Sequence, residues 1–101
     1  MKLNSKQKMR AYDVIIGEAL AEKRKEKGMS LQDVADKVGR SKQTVYNYER
    51  GIRSLNAADF LVYCNTLGFD GMPILIETQK KSDDDLAEAY SKYFFELTKV
   101  K

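Results

Sequence analysis

Four single glycines cut the middle of this chain into short pieces, and that punctuation limits the fold more than any other feature. Gly28, Gly39, Gly51 and Gly68 each stand where an apolar pattern of helical period stops. Beyond each comes a residue able to cap another helix: Ser30, Ser41, Asn56 and Asp70. Glycine just past one helix and Ser, Asn or Asp just before the next are stop and start signals for consecutive helices. Helices this short are marginal alone, so the pieces must pack on one another.

The first helix is predicted over about Asp13 to Lys27, with Asp13 as its cap and Ile16, Ala19 and Leu20 facing inward. The second opens at Ser30, where Asp33 approximates a capping box and Met29 and Val34 are placed as a hydrophobic staple. Leu31, Val34, Ala35 and Val38 then fall at i, i+3, i+4 and i+7, one inward stripe. The third helix follows a very short turn, Gly39-Arg40-Ser41, with Ser41 as cap. Val45, Tyr48 and Ile52 form its inward face, and Lys42, Gln43, Tyr46, Asn47 and Arg50 its other face. The fourth is capped by Asn56, with Asp59 three residues on and Leu55 and Phe60 as staple. Its stripe is Ala57, Phe60, Leu61, Cys64 and Leu67.

The segment from Phe69 to Gln79 admits two readings. Asp70 can cap a short fifth helix with Pro73 in its first turn, where proline is tolerated. The run from Ile74 to Thr78 also suits a β-strand, which would need a partner such as a second subunit. From Asp83 onward the pattern is helical, with three aspartates where the helix dipole favours them. Leu86, Tyr90, Tyr93, Leu97 and Val100 are spaced 4, 3, 4 and 3, a seam of about two heptads. Phe94 lies beside it. The organisation expected is a basic N-terminal arm over 1–12, a domain over 13–79 and a C-terminal helix over 80–101.

Composition removes several function classes. The 101 residues contain no His and a single cysteine, Cys64. The commonest general base and metal ligand are therefore missing, and neither a thiolate metal site nor an internal disulfide can form. No metal, cofactor or enzymatic activity is expected, because no nucleophile, base and orienting group occur together. Cys64 falls on a core face and reads as a buried structural thiol. No apolar run approaches the ~20 residues of a membrane span. The polar, basic stretch Met1 to Arg10 does not read as a secretory signal. A cytoplasmic protein without a membrane partner is expected.

Net charge is only +3, but it is unevenly placed. Lys37, Arg40, Lys42, Arg50 and Arg53 face one acid, Glu49, between positions 37 and 53, and Lys2, Lys6, Lys8 and Arg10 face none in the first ten residues. Clustered cations are the footprint of a polyanion partner. Two short helices joined by a tight glycine-containing turn form a helix-turn-helix, whose second helix enters a major groove about 12 Å wide. The outer face of the third helix suits that task. Gln43 and Asn47 carry amides that pair bidentately with adenine, Lys42 donates to guanine, and Tyr46 can meet a thymine methyl or a phosphate. Ser30 and Ser41 bring helix N-termini where phosphates can reach them. Arg40, Arg50 and Arg53 would neutralise the backbone.

The string from Gly28 to Gly51 resembles the Cro and phage-repressor (xenobiotic-response-element type) helix-turn-helix family. Gly28-Met29-Ser30, Val34-Ala35, Val38-Gly39, Ser41, Thr44-Val45 and Tyr48-Glu49-Arg50-Gly51 carry the likeness, which extends over roughly Ile16 to Leu75. It implies an all-α, lambda-repressor-like domain of four to five helices, here with an added C-terminal helix. It implies base readout at Lys42, Gln43 and Asn47 with Tyr46 beside them, and phosphate contacts near Ser30, Arg40, Thr44, Arg50 and Arg53. It also implies a structural brace between Arg24 and Glu49. One departure stands out. Leu31 occupies the position where phage repressors usually carry a phosphate-contacting Gln; either Gln32 takes part of that role or the contact is absent.

Family members usually pair on half-sites about one helical turn apart. A homodimer on double-stranded DNA is therefore expected, acting as a transcriptional regulator and repressor. The seam of Leu86, Tyr90, Tyr93, Phe94, Leu97 and Val100 could be its interface, or the helix could fold back on its own domain. The alternative function is a DNA-binding, antitoxin-type module that holds a partner protein through this C-terminal segment.

Overall fold

The computed structural model describes residues 2–99. Among them are six helices and no strand: α1 (Ser5–Glu26), α2 (Leu31–Val38), α3 (Lys42–Glu49), α4 (Ala57–Leu67), α5 (Met72–Gln79) and α6 (Asp83–Lys99). The all-α expectation holds, and the 69–79 ambiguity resolves to a helix. Pro73 sits in the first turn of α5, where it removes no helical hydrogen bond. Asp70 Oδ1 accepts from the Met72 N–H at 3.0 Å.

The predicted start of the first helix is corrected. α1 begins eight residues before Asp13, and the basic stretch Lys6, Lys8 and Arg10 forms its first two turns instead of an arm. Asn4 is the cap: its side chain accepts from the Gln7 N–H at 2.9 Å, while Gln7 Oε1 accepts from the Asn4 N–H at 3.0 Å. Asp13 lies mid-helix, where Ser54 Oγ donates to its carboxylate at 2.5 Å. The early turns carry few apolar residues, so their helical period is faint in the sequence. They are held by a distant partner, because Leu3, Ala11 and Val14 are buried against Leu86 and Ala89 of α6.

Two cores result. The larger one gathers Leu20, Val34, Ala35, Val45, Phe60, Tyr63, Cys64 and Leu67 from α1 to α4, with Ile74 and Leu75 of α5 at its edge. Cys64 is buried, as read. On α4 the inward stripe is Phe60, Tyr63, Cys64 and Leu67, and Leu61 points outward at 52% exposure. The smaller core is the α1–α6 contact, flanked by Tyr12, Ile15, Tyr90 and Tyr93. Arg10 lies over the Tyr93 ring at 5.5 Å, and Lys92 Nζ meets Glu18 at 3.2 Å. Of the two readings of the seam, the helix folded back on its own domain describes its first half. Leu86 is buried within its own chain and Tyr90 and Tyr93 are half-covered by α1, so these three are not an open interface. Phe94 and Leu97 remain exposed, and Val100 lies outside the described residues. None of the described helices is long and apolar enough to cross a membrane.

Candidate nucleic-acid interface

The turn between α2 and α3 is built as the residue types demand. Ser30 Oγ accepts from the Asp33 N–H at 3.0 Å and Asp33 Oδ2 accepts from the Ser30 N–H at 2.9 Å, a reciprocal capping box. These bonds to its ionised form hold the Asp33 carboxyl below its ordinary range. α2 ends at Val38 with Gly39 as its C-cap, and α3 begins at Lys42 behind its cap Ser41, whose Oγ accepts from the Thr44 N–H at 3.0 Å. The Ser41 hydroxyl also donates to Thr44 Oγ1 at 2.9 Å. α2 and α3 share the apolar contact of Val34, Ala35 and Val45, each fully buried.

The C-terminal end of α3 is pressed against α1. A Cβ on Gly17 would lie 2.3 Å from the Tyr48 carbonyl oxygen and 2.7 Å from that of Glu49, so no larger residue permits this approach. Gly51 follows with φ +73°, a left-handed turn stacked on Val14. At this junction Arg24 binds both oxygens of Glu49, at 2.7 and 2.9 Å, and Nη1 of the same arginine donates to the Met29 carbonyl at 2.9 Å. The Tyr63 hydroxyl donates to Glu49 Oε2 as well. Burial and the adjacent carboxylate push the Tyr63 phenol far above its ordinary range, so it stays a donor. Among the described residues no buried side-chain polar atom lacks a partner.

With α3 fixed from behind, its outer face is open. Lys42, Gln43 and Arg50 are exposed and Tyr46 and Asn47 half-exposed. Gln43 Nε2 donates to Asn47 Oδ1 at 3.0 Å, which joins the two amides on one ridge. Tyr46 belongs to the neighbouring ridge, where the Arg50 guanidinium lies 5.1 Å over its ring. It opens into a cleft of about 510 Å³ with Leu31, Glu22 and Lys25. Leu31 packs against the larger core, and Gln32 is exposed with its amide donating to Asp36 at 2.8 Å.

Residues 20–71 match the helix-turn-helix family model of the Cro and phage-repressor type, a little over half of the chain. The chain belongs to that helix-turn-helix family. It is a DNA-binding transcription regulator, and α3 is the second helix of its motif. No curated protein and no solved structure matched the chain. The family match runs from position 20 to 71, so α5, α6 and the first two thirds of α1 in this helix-turn-helix protein lie outside it.

Sequence reasoning missed three partners around the motif. Tyr63 joins the Arg24–Glu49 pair, Ser54 joins Asp13, and Asp59 binds Arg40 and Tyr48. Arg40 Nη2 donates to both Asp59 oxygens, at 2.9 and 3.1 Å, so this arginine is engaged within the fold while its side chain stays half-exposed. The signal for Asp59 was present but read locally. Asn56 Oδ1 accepts from the Asp59 N–H at 2.8 Å, as a cap should, yet the carboxylate turns to residues far away in sequence.

Proposed function

We propose that this protein is a sequence-specific repressor that reads duplex DNA with α3. The carrying observation is the open amide ridge, Gln43 bonded to Asn47, with Lys42 exposed beside it and Arg50 and Arg53 following. Paired amides recognise adenine edges, and lysine donates to guanine. Arg50 and Arg53, with the N-terminal ends of α2 and α3 at Ser30 and Ser41 and the Thr44 hydroxyl, supply phosphate contacts that position the helix. Gln32 and Arg40 are weaker members of that set, since Asp36 and Asp59 already engage them. Arg24 and Glu49 serve as the brace behind the reading face.

The protein acts as a homodimer on a pseudo-palindromic operator and excludes polymerase there. Support for pairing comes from α6, where Phe94 is 52% and Leu97 41% exposed on the helix added beyond the family match. A single α3 spans few base pairs, and two copies would double the readout. Selection of bound sequences from random duplex DNA tests the whole reading. An enriched site of two inverted halves about one helical turn apart is the expected result. Enrichment of nothing above the starting pool rejects sequence-specific binding, and enrichment of a lone half-site rejects the dimer.

A further inference from the structure

We infer that Asp59, outside the reading helix, is a positioning residue that sets the angle of α3 and so governs how well the protein discriminates between DNA sequences; this rests on the sequence-reading function proposed above. α3 has only eight residues, too few to hold an orientation by itself. Its C-terminal end is fixed by Glu49, held by Arg24 and Tyr63. Asp59, one turn before Tyr63 on α4, adds a second hold through Tyr48. One carboxylate takes a hydrogen bond from Tyr48 Oη at 2.9 Å, near the end of α3, and from Arg40 Nη2, in the turn before α3 begins. The two donors bracket the helix that carries Gln43 and Asn47.

The acceptor is itself anchored. Asp59 is in the first turn of α4, and its backbone N–H is held by Asn56. Hydrogen bonds from Tyr48 and Arg40 keep this carboxyl charged by lowering its pKa. The Arg53 guanidinium lies 5.9 Å over the Tyr48 ring, so the same phenol also faces a candidate phosphate contact. Amide-to-base hydrogen bonds prefer donor angles above about 150° and distances of about 2.9 Å, and a bidentate pair needs both at once. A small rotation of α3 therefore spoils base contacts while leaving long, flexible arginines able to follow a phosphate. Loss of Asp59 should thus lower discrimination and spare general affinity for DNA.

The test compares the full chain with Asp59→Asn, Tyr48→Phe and the double variant, each checked for folding by circular dichroism. Binding is measured on the selected operator and on random duplex over a range of salt. Asp59→Asn is expected to reduce operator affinity about tenfold, the scale of one good base contact. Affinity for random duplex should not fall, and should rise a few-fold with a salt slope steeper by up to about one, because the change removes a negative charge and releases Arg40 for a phosphate. Tyr48→Phe should give a smaller loss, and the double variant should lose no more than Asp59→Asn alone. A folded Asp59→Asn protein with wild-type discrimination overturns the inference, as does an equal loss on operator and random DNA. A double variant whose losses multiply also overturns it. A wild-type chain that prefers no duplex fails earlier and removes the sequence-reading function together with this role.

Discussion

Arg24 and Glu49, twenty-five positions apart, share two hydrogen bonds in which Nε and Nη2 each meet a different carboxylate oxygen. The Arg24 side chain is 11% exposed and that of Glu49 5%. Removing one member leaves the other charged and nearly buried, which typically destabilises by about 3–5 kcal/mol. Arg24→Ala should lower the unfolding free energy from chemical denaturation by that amount, with the midpoint moving to lower denaturant at an unchanged slope. Tyr63→Phe deletes one further donor to the same carboxylate and should cost less, about 1–3 kcal/mol. A double-mutant cycle between positions 24 and 63 should show coupling, since both act through Glu49.

Gly17 sets how closely α1 approaches the end of α3. The obstacle to a side chain is backbone, the carbonyls of Tyr48 and Glu49, and backbone cannot move aside as a side-chain tip can. Gly17→Ala should destabilise by at least the 1–3 kcal/mol typical of overpacking, roughly. This should happen despite alanine's higher helix propensity. A thermal melt equal to or higher than wild type would show that α1 can shift without strain.

These two contacts mark what the sequence could and could not reveal. The caps at Ser30, Ser41 and Asn56 and the inward stripe of α2 are local patterns, and each is found as read. α3 and its exposed face were legible for the same reason. The start of α1 was not. Lys6, Lys8 and Arg10 give no apolar period, and their helix depends on Leu86 and Ala89, more than seventy residues away. The seam on α6 was legible as a stripe, but a stripe does not name its partner, and α1 takes Leu86, Tyr90 and Tyr93. Asp59 was visible as a cap residue, while its bonds to Arg40 and Tyr48 depend on how α3 and α4 meet.

The division of α6 into covered and open residues separates folding from pairing. Leu86 is 3% exposed against α1, so Leu86→Ala should cost about 2–5 kcal/mol. It should also unravel early turns of α1, seen as a loss of helical ellipticity. Phe94 is 52% exposed and meets only the Tyr90 ring, edge-on at 5.2 Å, among the described aromatics, and Phe94→Ala should cost no more than about 1.5 kcal/mol. If α6 forms the dimer contact, the same change should move the sedimentation profile toward monomer and weaken operator binding. An unchanged profile would place the pairing surface elsewhere.

Cys64 sets a pH dependence. Burial, aided by the nearby negative charge of Asp70, pushes its thiol from the usual 9.0 up to about 11. The thiol therefore stays protonated in the folded chain at pH values where the unfolded chain has released its proton. The associated stability is present below pH 9 and is lost as the pH climbs toward 11. Denaturation at several pH values should show wild type losing stability across this window relative to Cys64→Ala. Alkylation at pH 8 should be slow in the folded protein and fast in urea.

Gln43 and Asn47 should behave as a unit. Each can satisfy one adenine, but Gln43 Nε2 donates to Asn47 Oδ1 at 3.0 Å, and that bond orients both amides before any base arrives. Gln43→Ala removes its own base contact and also frees Asn47 to rotate. The expected loss on the selected operator is about 1–3 kcal/mol for each single change, and the double change should lose less than the sum. Preference should relax at one or two operator positions, with random duplex bound as before. Arg50→Ala should do the opposite, weakening all duplexes alike and lowering the salt slope by about one. Equal losses on operator and random DNA for Gln43→Ala would assign that glutamine to the backbone and move the readout to Lys42 and Tyr46.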